Sequence, residues 1–488
     1  MSLKEKFAQR DRRLNIVKNI IIFLLLIVTA VFFSFVLGSQ GIGKDKKGDT
    51  FGGTTVEEVF KNPSDIDDEN ITNAFWDYIS PEYIVVNKDG NRDILYSSTE
   101  RYEKIAGPAM DIIKNMFSRI TVQSVVTETS VWNNMLSVNS ALMHFPAEIS
   151  PVFPIQFLEI NDSVVRENID SFADILIVTG LPAQENALIY IKEAKTEEII
   201  RCETDIPIKK LNDAIDKLEN VTDKNYAFGY ELKLDSFGGN STMLSSMLTI
   251  PLVEIETPQI SAKVPENFSS RLLEVGQNEL SRNVISIFGC DPNTIRSSVD
   301  NENSRVLLGD KRRITLSSDG IIEFKASGAK NGIDISGGTV QTAENSLYVA
   351  ISGTLKTVLG MFEITGTDIK NADYEIKVTG METTADYRSE IRLCFDYYIN
   401  GLIMEYTDNP SSHAIEAVIS KGKLTYFKME LKNFQKTGQL VSNDQMITAI
   451  DKYCAENQDK ENIYIYDSYL YYGYKKNNEI MHTSWAVN

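Results

Sequence analysis

The chain has 488 residues, a net charge of −19 and 42% apolar residues, among them 22 Phe, 21 Tyr and 3 Trp. That length leaves room for two to four domains of about 150 residues, and the apolar content excludes global disorder. The acidity disfavours nucleic-acid backbones and anionic headgroups as partners, so no nucleic acid is expected.

Residues 1–19 form a basic segment: Lys4, Lys6, Arg10, Arg12, Arg13 and Lys18 stand against only Glu5 and Asp11. Ile20–Leu37 then runs without a charge. Residues 20–38 reach the roughly 20 needed for a helix to cross about 30 Å of hydrocarbon. The flanking cations keep the N-terminus cytoplasmic and send the rest of the chain outward. The apolar run exceeds the roughly 7–15 residues of a signal-peptide core, and Val36-Leu37-Gly38 is a poor cleavage site, so the segment reads as an uncleaved signal anchor. Ala30, Ser34 and Gly38 recur every four residues and give this helix a small-residue packing face.

Residues 39–75, rich in Gly, Lys, Asp and Thr, read as a flexible linker. Asp65, Asp67, Asp68 and Glu69 lack the spacing of a calcium loop and belong to this solvated tether.

Residues 76–245 form the first ectodomain. Glu82–Asn87 and Asp93–Tyr96 flank Lys88-Asp89-Gly90-Asn91, a hairpin signal. Thr99 caps a helix to about Arg119 whose Tyr102, Ile105, Ala109, Ile112, Ile113, Met116 and Phe117 share a face. Strands are expected at Ile175–Thr179 and Ala187–Lys192, and a helix after Pro207. Asp235–Ser246 reads as a boundary loop.

Residues 246–342 form a middle domain. A helix capped at Ser269 or Ser270 buries Leu272, Leu273, Leu280, Val284 and Phe288 and ends at Gly289. Strands follow at Ser304–Leu308, Arg313–Leu316 and Ile321–Phe324, the last after a Ser318-Asp319-Gly320 turn. Residues 343–488 repeat the plan of a helix (Asn345–Phe362) followed by strands. Tyr374–Val378 comes first, then a meander of Ile391–Ile399, Ala414–Ser420 and Leu424–Leu431 with turns at Asn400-Gly401 and Lys421-Gly422. A helix at Ser442–Cys454 and Tyr-rich strands at Asn462–Tyr474 and Met481–Val487 close the chain. The class is therefore α+β: one transmembrane helix, then a multi-domain ectodomain of antiparallel sheets with packed helices, its last two domains alike in topology.

No catalytic, cofactor or metal constellation emerges. His144, His413 and His482 lie far apart in the chain and read as structural. Ser420-Lys421-Gly422-Lys423 and Lys436-Thr437-Gly438 match penicillin-binding motifs, but Ser420 sits at a strand-to-turn junction and the two lie too close together. Cys202, Cys290, Cys394 and Cys454 have no zinc spacing; bridges and buried free thiols remain equally open.

Several segments resemble the YycH/YycI type of membrane-anchored regulator of low-GC Gram-positive bacteria. In the first portion these are Pro81–Val86, Ile94–Ser97, Trp132, Ala141-Leu142-Met143-His144-Phe145-Pro146 and Pro154–Ile160. Later come Ile287-Phe288-Gly289 with Pro292-Asn293, Arg312–Phe324, Phe395–Leu402, Leu470–Tyr472 and Trp485-Ala486-Val487. The resemblance implies no enzymatic activity and a place beside a WalK (YycG) sensor histidine kinase of a cell-wall two-component system. A related YycI/YycH-type protein is a further expected partner. The competing expectation is a tethered module that binds a wall polymer, peptide or protease, with the helix only as its anchor.

Overall fold

The first sheet begins at the Asp-Gly turn. Strands β1 (Tyr83–Lys88) and β2 (Asn91–Tyr96) pair across it with Lys88 opposite Asn91. Asp89 and Gly90 take φ of 50° and 80°, the positive pair that matches a two-residue hairpin to the twist of its strands. The computed structural model describes residues 79–488 apart from 158–164, 233–240, 269–278, 336–345, 366–373, 384–389 and several shorter segments. The expected anchor at 20–38, with Ala30, Ser34 and Gly38, and the linker at 39–75 lie outside the described residues. Among the described residues no helix is long and apolar enough to cross a membrane.

Thr99 accepts the Tyr102 N–H at 3.2 Å and starts helix α1 (Glu100–Arg119), whose buried face is the one its periodicity marks. Next come β3 (Ile120–Val126), α2 (Thr129–Leu136), β4 (Ser140–Ile149), α3 (Val152–Phe157) and β5 (Phe172–Val178). The lobe ends with β6 (Asn186–Glu193), β7 (Ile199–Pro207) and α4 (Lys209–Asp216). The strands form a seven-stranded antiparallel sheet in the order β2-β1-β4-β5-β6-β7-β3. Both its faces are buried. Ile84, Met143, Ile175 and Ile177 join the core that contains α1, while Val85, Leu142, Leu176 and Val178 pack with Trp132 and Leu136 of α2. The period-two switch between these sets is what a strand covered on both sides requires.

The second lobe contains β8 (Tyr226–Phe228), β9 (Ser241–Leu244), β10 (Thr249–Pro251), β11 (Ile255–Lys263) and α5 (Glu279–Ile287). It continues with β12 (Arg296–Val299), β13 (Arg305–Gly309), β14 (Arg312–Leu316), β15 (Ile321–Ala326), β16 (Ile333–Asp334) and α6 (Ser346–Thr365). Then follow β17 (Tyr374–Thr383), β18 (Glu390–Ile399), β19 (Leu402–Tyr406), β20 (Ile415–Ser420), β21 (Lys423–Glu430) and β22 (Asn433–Asn443). Helix α7 (Met446–Glu456), β23 (Asn462–Ile465), β24 (Ser468–Lys475) and β25 (Asn478–Val487) complete it. One fourteen-stranded, mostly antiparallel sheet runs from β12 to β22, and β15 pairs with β21 within it. The segments 246–342 and 343–488 therefore share a sheet. Helix α6 is apolar on nearly every side and is buried with α5; Thr354, Thr357 and Thr365 satisfy their hydroxyls on carbonyls four residues back.

The turns fall where Gly marks them: Asn400-Gly401 and Lys421-Gly422 all have positive φ. Two boundaries differ from the sequence reading. Ser241–Leu244, inside the expected loop, is a strand pairing in parallel with β23. The expected helix at Ser442–Cys454 starts at Met446, because residues through Asn443 extend β22 along β11. Neither strand alternates apolar and polar residues; partner pairing alone makes them extended. All four cysteines are free.

Candidate functional site

Two of the three histidines face the same cavity, one from each lobe. On β4, His144 lies directly opposite Asp174 of β5, and its Nδ1–H donates to Asp174 Oδ1 at 2.7 Å. The ring stacks on Tyr83 of β1, with centroids 4.7 Å apart. The backbone of Glu82 extends this ladder by donating to the His144 carbonyl at 2.8 Å, which places the Glu82 carboxylate at the cavity wall. Burial works against the His144 charge, but Asp174 outweighs it, with help from Glu82 and Asp467, and holds the imidazole up to about 9. Burial pushes Glu82 up to about 7 against the pull of His144 and Lys377.

The second pair rests on Asp396 of β18. Its Oδ2 accepts from His413 Nδ1 at 2.7 Å and from Thr379 Oγ1, and its Oδ1 accepts the Ala414 N–H at 2.8 Å. Thr379 reaches it from a bulge: the β17–β18 register slips between Val378 and Gly380, which leaves Thr379 unpaired and turned toward the carboxylate. The hydrogen bond to Asp396, then that to Cys394, holds His413 charged up to about 10.

Between the pairs lies a cavity of about 270 Å³, just under the usual size of a small-molecule site. Glu405 of β19, Asp467 before β24, and Tyr398 and Tyr469 complete its polar wall; Ile403, Met404 and Pro410 supply an apolar one. Tyr469 donates its hydroxyl to Glu405. Burial raises both Glu405 and Asp467 above the ordinary carboxylate range.

The two lobes meet at this seam. Lys377 of β17, 1% exposed, donates to the Pro81 carbonyl at 2.9 Å and to Ser80 Oγ at 3.1 Å, both in the first lobe. Burial lowers its pKa against the pull of Glu375 and Glu82. At the other side, a Cβ on Gly401 would come within 2.7 Å of the Ser97 carbonyl and 2.8 Å of Tyr96 Cβ, so only glycine lets the β18–β19 turn sit so close.

Chemically, these are fixed charges. An imidazolium held above neutral pH by its own aspartate donates hydrogen bonds and carries charge; it does not accept a proton there. Among the described residues no three His, Cys, Asp or Glu side chains gather as metal ligands would. His482 is exposed on β25 and apart from the cavity. Ser420 ends β20 before the Lys421-Gly422 turn, and Lys436-Thr437-Gly438 lies within β22. Sequence reasoning kept the histidines apart; sheet register brings His144 and His413 together. The signal in the sequence was weak: a His at the centre of an apolar strand run and an Asp in the otherwise apolar run of β18.

No protein-family profile matches the sequence, and no curated protein sequence matches it. Among solved structures, the crystal structure of YycH from Bacillus subtilis matches with a TM-score of 0.50 at 12% identity, covering 85% of this chain and 94% of that one. The match spans both lobes of a mostly antiparallel α+β architecture. This chain has the YycH-type fold.

Proposed function

We propose that the chain is a membrane-anchored, extracytoplasmic regulator of a WalK-type sensor histidine kinase, with no enzymatic activity of its own. The YycH-type fold over most of the chain carries the reading, and the charge-free Ile20–Leu37 run behind six basic residues supports the anchor. The partners in this reading are the kinase and a related YycI/YycH-type protein. A single helix biases a kinase only if it binds two kinase states with different free energies, and the Ala30, Ser34 and Gly38 face offers the close approach for that. Exchanging residues 20–38 for an unrelated membrane span is expected to abolish kinase modulation while membrane localisation persists. Modulation that survives the exchange overturns the helix mechanism.

The cavity favours a second reading, a tethered module that captures a ligand outside the cell. The two readings combine if ligand occupancy at the seam changes how the ectodomain holds its helix. Full-length protein that binds a wall-derived ligand, with kinase output unaffected, would favour capture alone.

A further inference from the structure

We infer that the cavity between the lobes is a binding site for a small organic cation, an alkylammonium ligand with a short apolar stem. Each cation at the seam is already engaged: His144 with Asp174, His413 with Asp396, and Lys377 with Ser80, Pro81 and, at 3.5 Å, Glu375. Three further carboxylates, on Glu82, Glu405 and Asp467, line the same space, and among the described residues none of them sits in an ion pair; Tyr469 donates to Glu405, and His144 and Lys377 act on Glu82 only through space. Glu82 is 8% exposed, so a carboxylate is held in a place where water does little to stabilise its charge.

A cavity wall carrying three carboxylates, of which Glu82 is buried and Glu405 and Asp467 half-buried, beside cations that already have partners, is complementary to positive charge. Tyr398 and Tyr469 line the same wall, and Ile403, Met404 and Pro410 offer an apolar strip for a stem. The cavity volume of about 270 Å³ limits the ligand to a small molecule. The acidity of the whole chain draws cations toward it. Glu82, raised to about 7, adds a signature. Binding of a cation displaces its proton, so affinity tightens as Glu82 ionises, while His144 and His413 keep their charge over the same range.

The test uses the full chain in nanodiscs with 1,4-diaminobutane as probe and butane-1,4-diol as its neutral counterpart. Calorimetry is expected to show saturable binding of the diamine but not the diol, tightening several-fold between about pH 6 and about pH 8. The double variant Glu405→Gln/Asp467→Asn is expected to weaken binding by about tenfold or more. Ser412→Trp, which fills the cavity from its loop, is expected to remove it and covers the case in which the double variant fails to fold. Equal binding of the diol marks the cavity as a polyol site and overturns the inference. So do diamine binding that both variants leave unchanged, which is surface attraction to an acidic protein, and an absence of binding at both pH values. The inference stands apart from the kinase reading: a failed helix exchange leaves it intact, and a failed calorimetric titration leaves the kinase reading intact.

Discussion

The two histidine–aspartate pairs at the cavity make the same bond by different means. His144–Asp174 is a cross-strand pair, set by the regular β4–β5 ladder, with side chains 24% and 18% exposed. His413–Asp396 is a hub: Asp396 is 5% exposed and also takes hydrogen bonds from Thr379, through a bulge, and from the Ala414 backbone. A ladder pair is positioned by structure that would exist without it, whereas a hub positions the structure around it. The second lobe therefore depends on its aspartate more than the first lobe depends on Asp174.

Substitutions can break that contrast. Asp396→Asn takes away a 5%-exposed carboxylate that His413, Thr379 and the Ala414 N–H all share, and a loss of about 3–5 kcal/mol in urea unfolding is expected. Asp174→Asn, with water able to reach both partners, is expected to cost about 1–2 kcal/mol. Equal losses would erase the distinction between hub and ladder.

Titration sharpens it. Both histidines are raised in the folded chain above the ordinary imidazole value near 6.5, His144 to about 9 and His413 to about 10. Their stabilisation is thus full below about pH 6.5 and is lost as pH rises through about 9 and then about 10. Glu82, raised from 4.5 to about 7, acts with the same sign in a lower window: its contribution is complete below 4.5 and fades through about 7. Stability followed from pH 5 to 10 is expected to decline in these steps, and Asp174→Asn should remove the step near 9 while sparing the one near 10. The smallest effect is expected for Lys377→Met. It removes a cation that pulls Glu82 downward, so the Glu82 carboxyl should titrate above its value of about 7 in a carbon-detected NMR experiment, with a stability change of about 1 kcal/mol.

Much of the fold was legible. The apolar stripe of α1, its Thr99 cap, and the Asp-Gly, Asn-Gly and Lys-Gly turns are local signals, and each one set an element where the chemistry said it would. The site was far less legible. His144 meets Asp174 thirty residues on, and His413 meets Asp396 seventeen residues back, through sheet register and a bulge. Neither device leaves a motif. Residues Asn433–Asn443, exposed from Gln435 through Leu440 and without alternation, also form a strand only because β11 lies alongside.

The placement of β11 has a kinetic consequence. Its pairing partners are β22 and β25, more than a hundred residues later in the chain. Through synthesis its backbone donors and acceptors stay unpaired while the meander of β18, β20 and β21 can already close on itself. Contacts across such separations form late, after the entropy of closing a long loop has been met. The second lobe thus zips from its middle outward, and β11 is the strand that waits, the one a chaperone or an aggregating neighbour would find open.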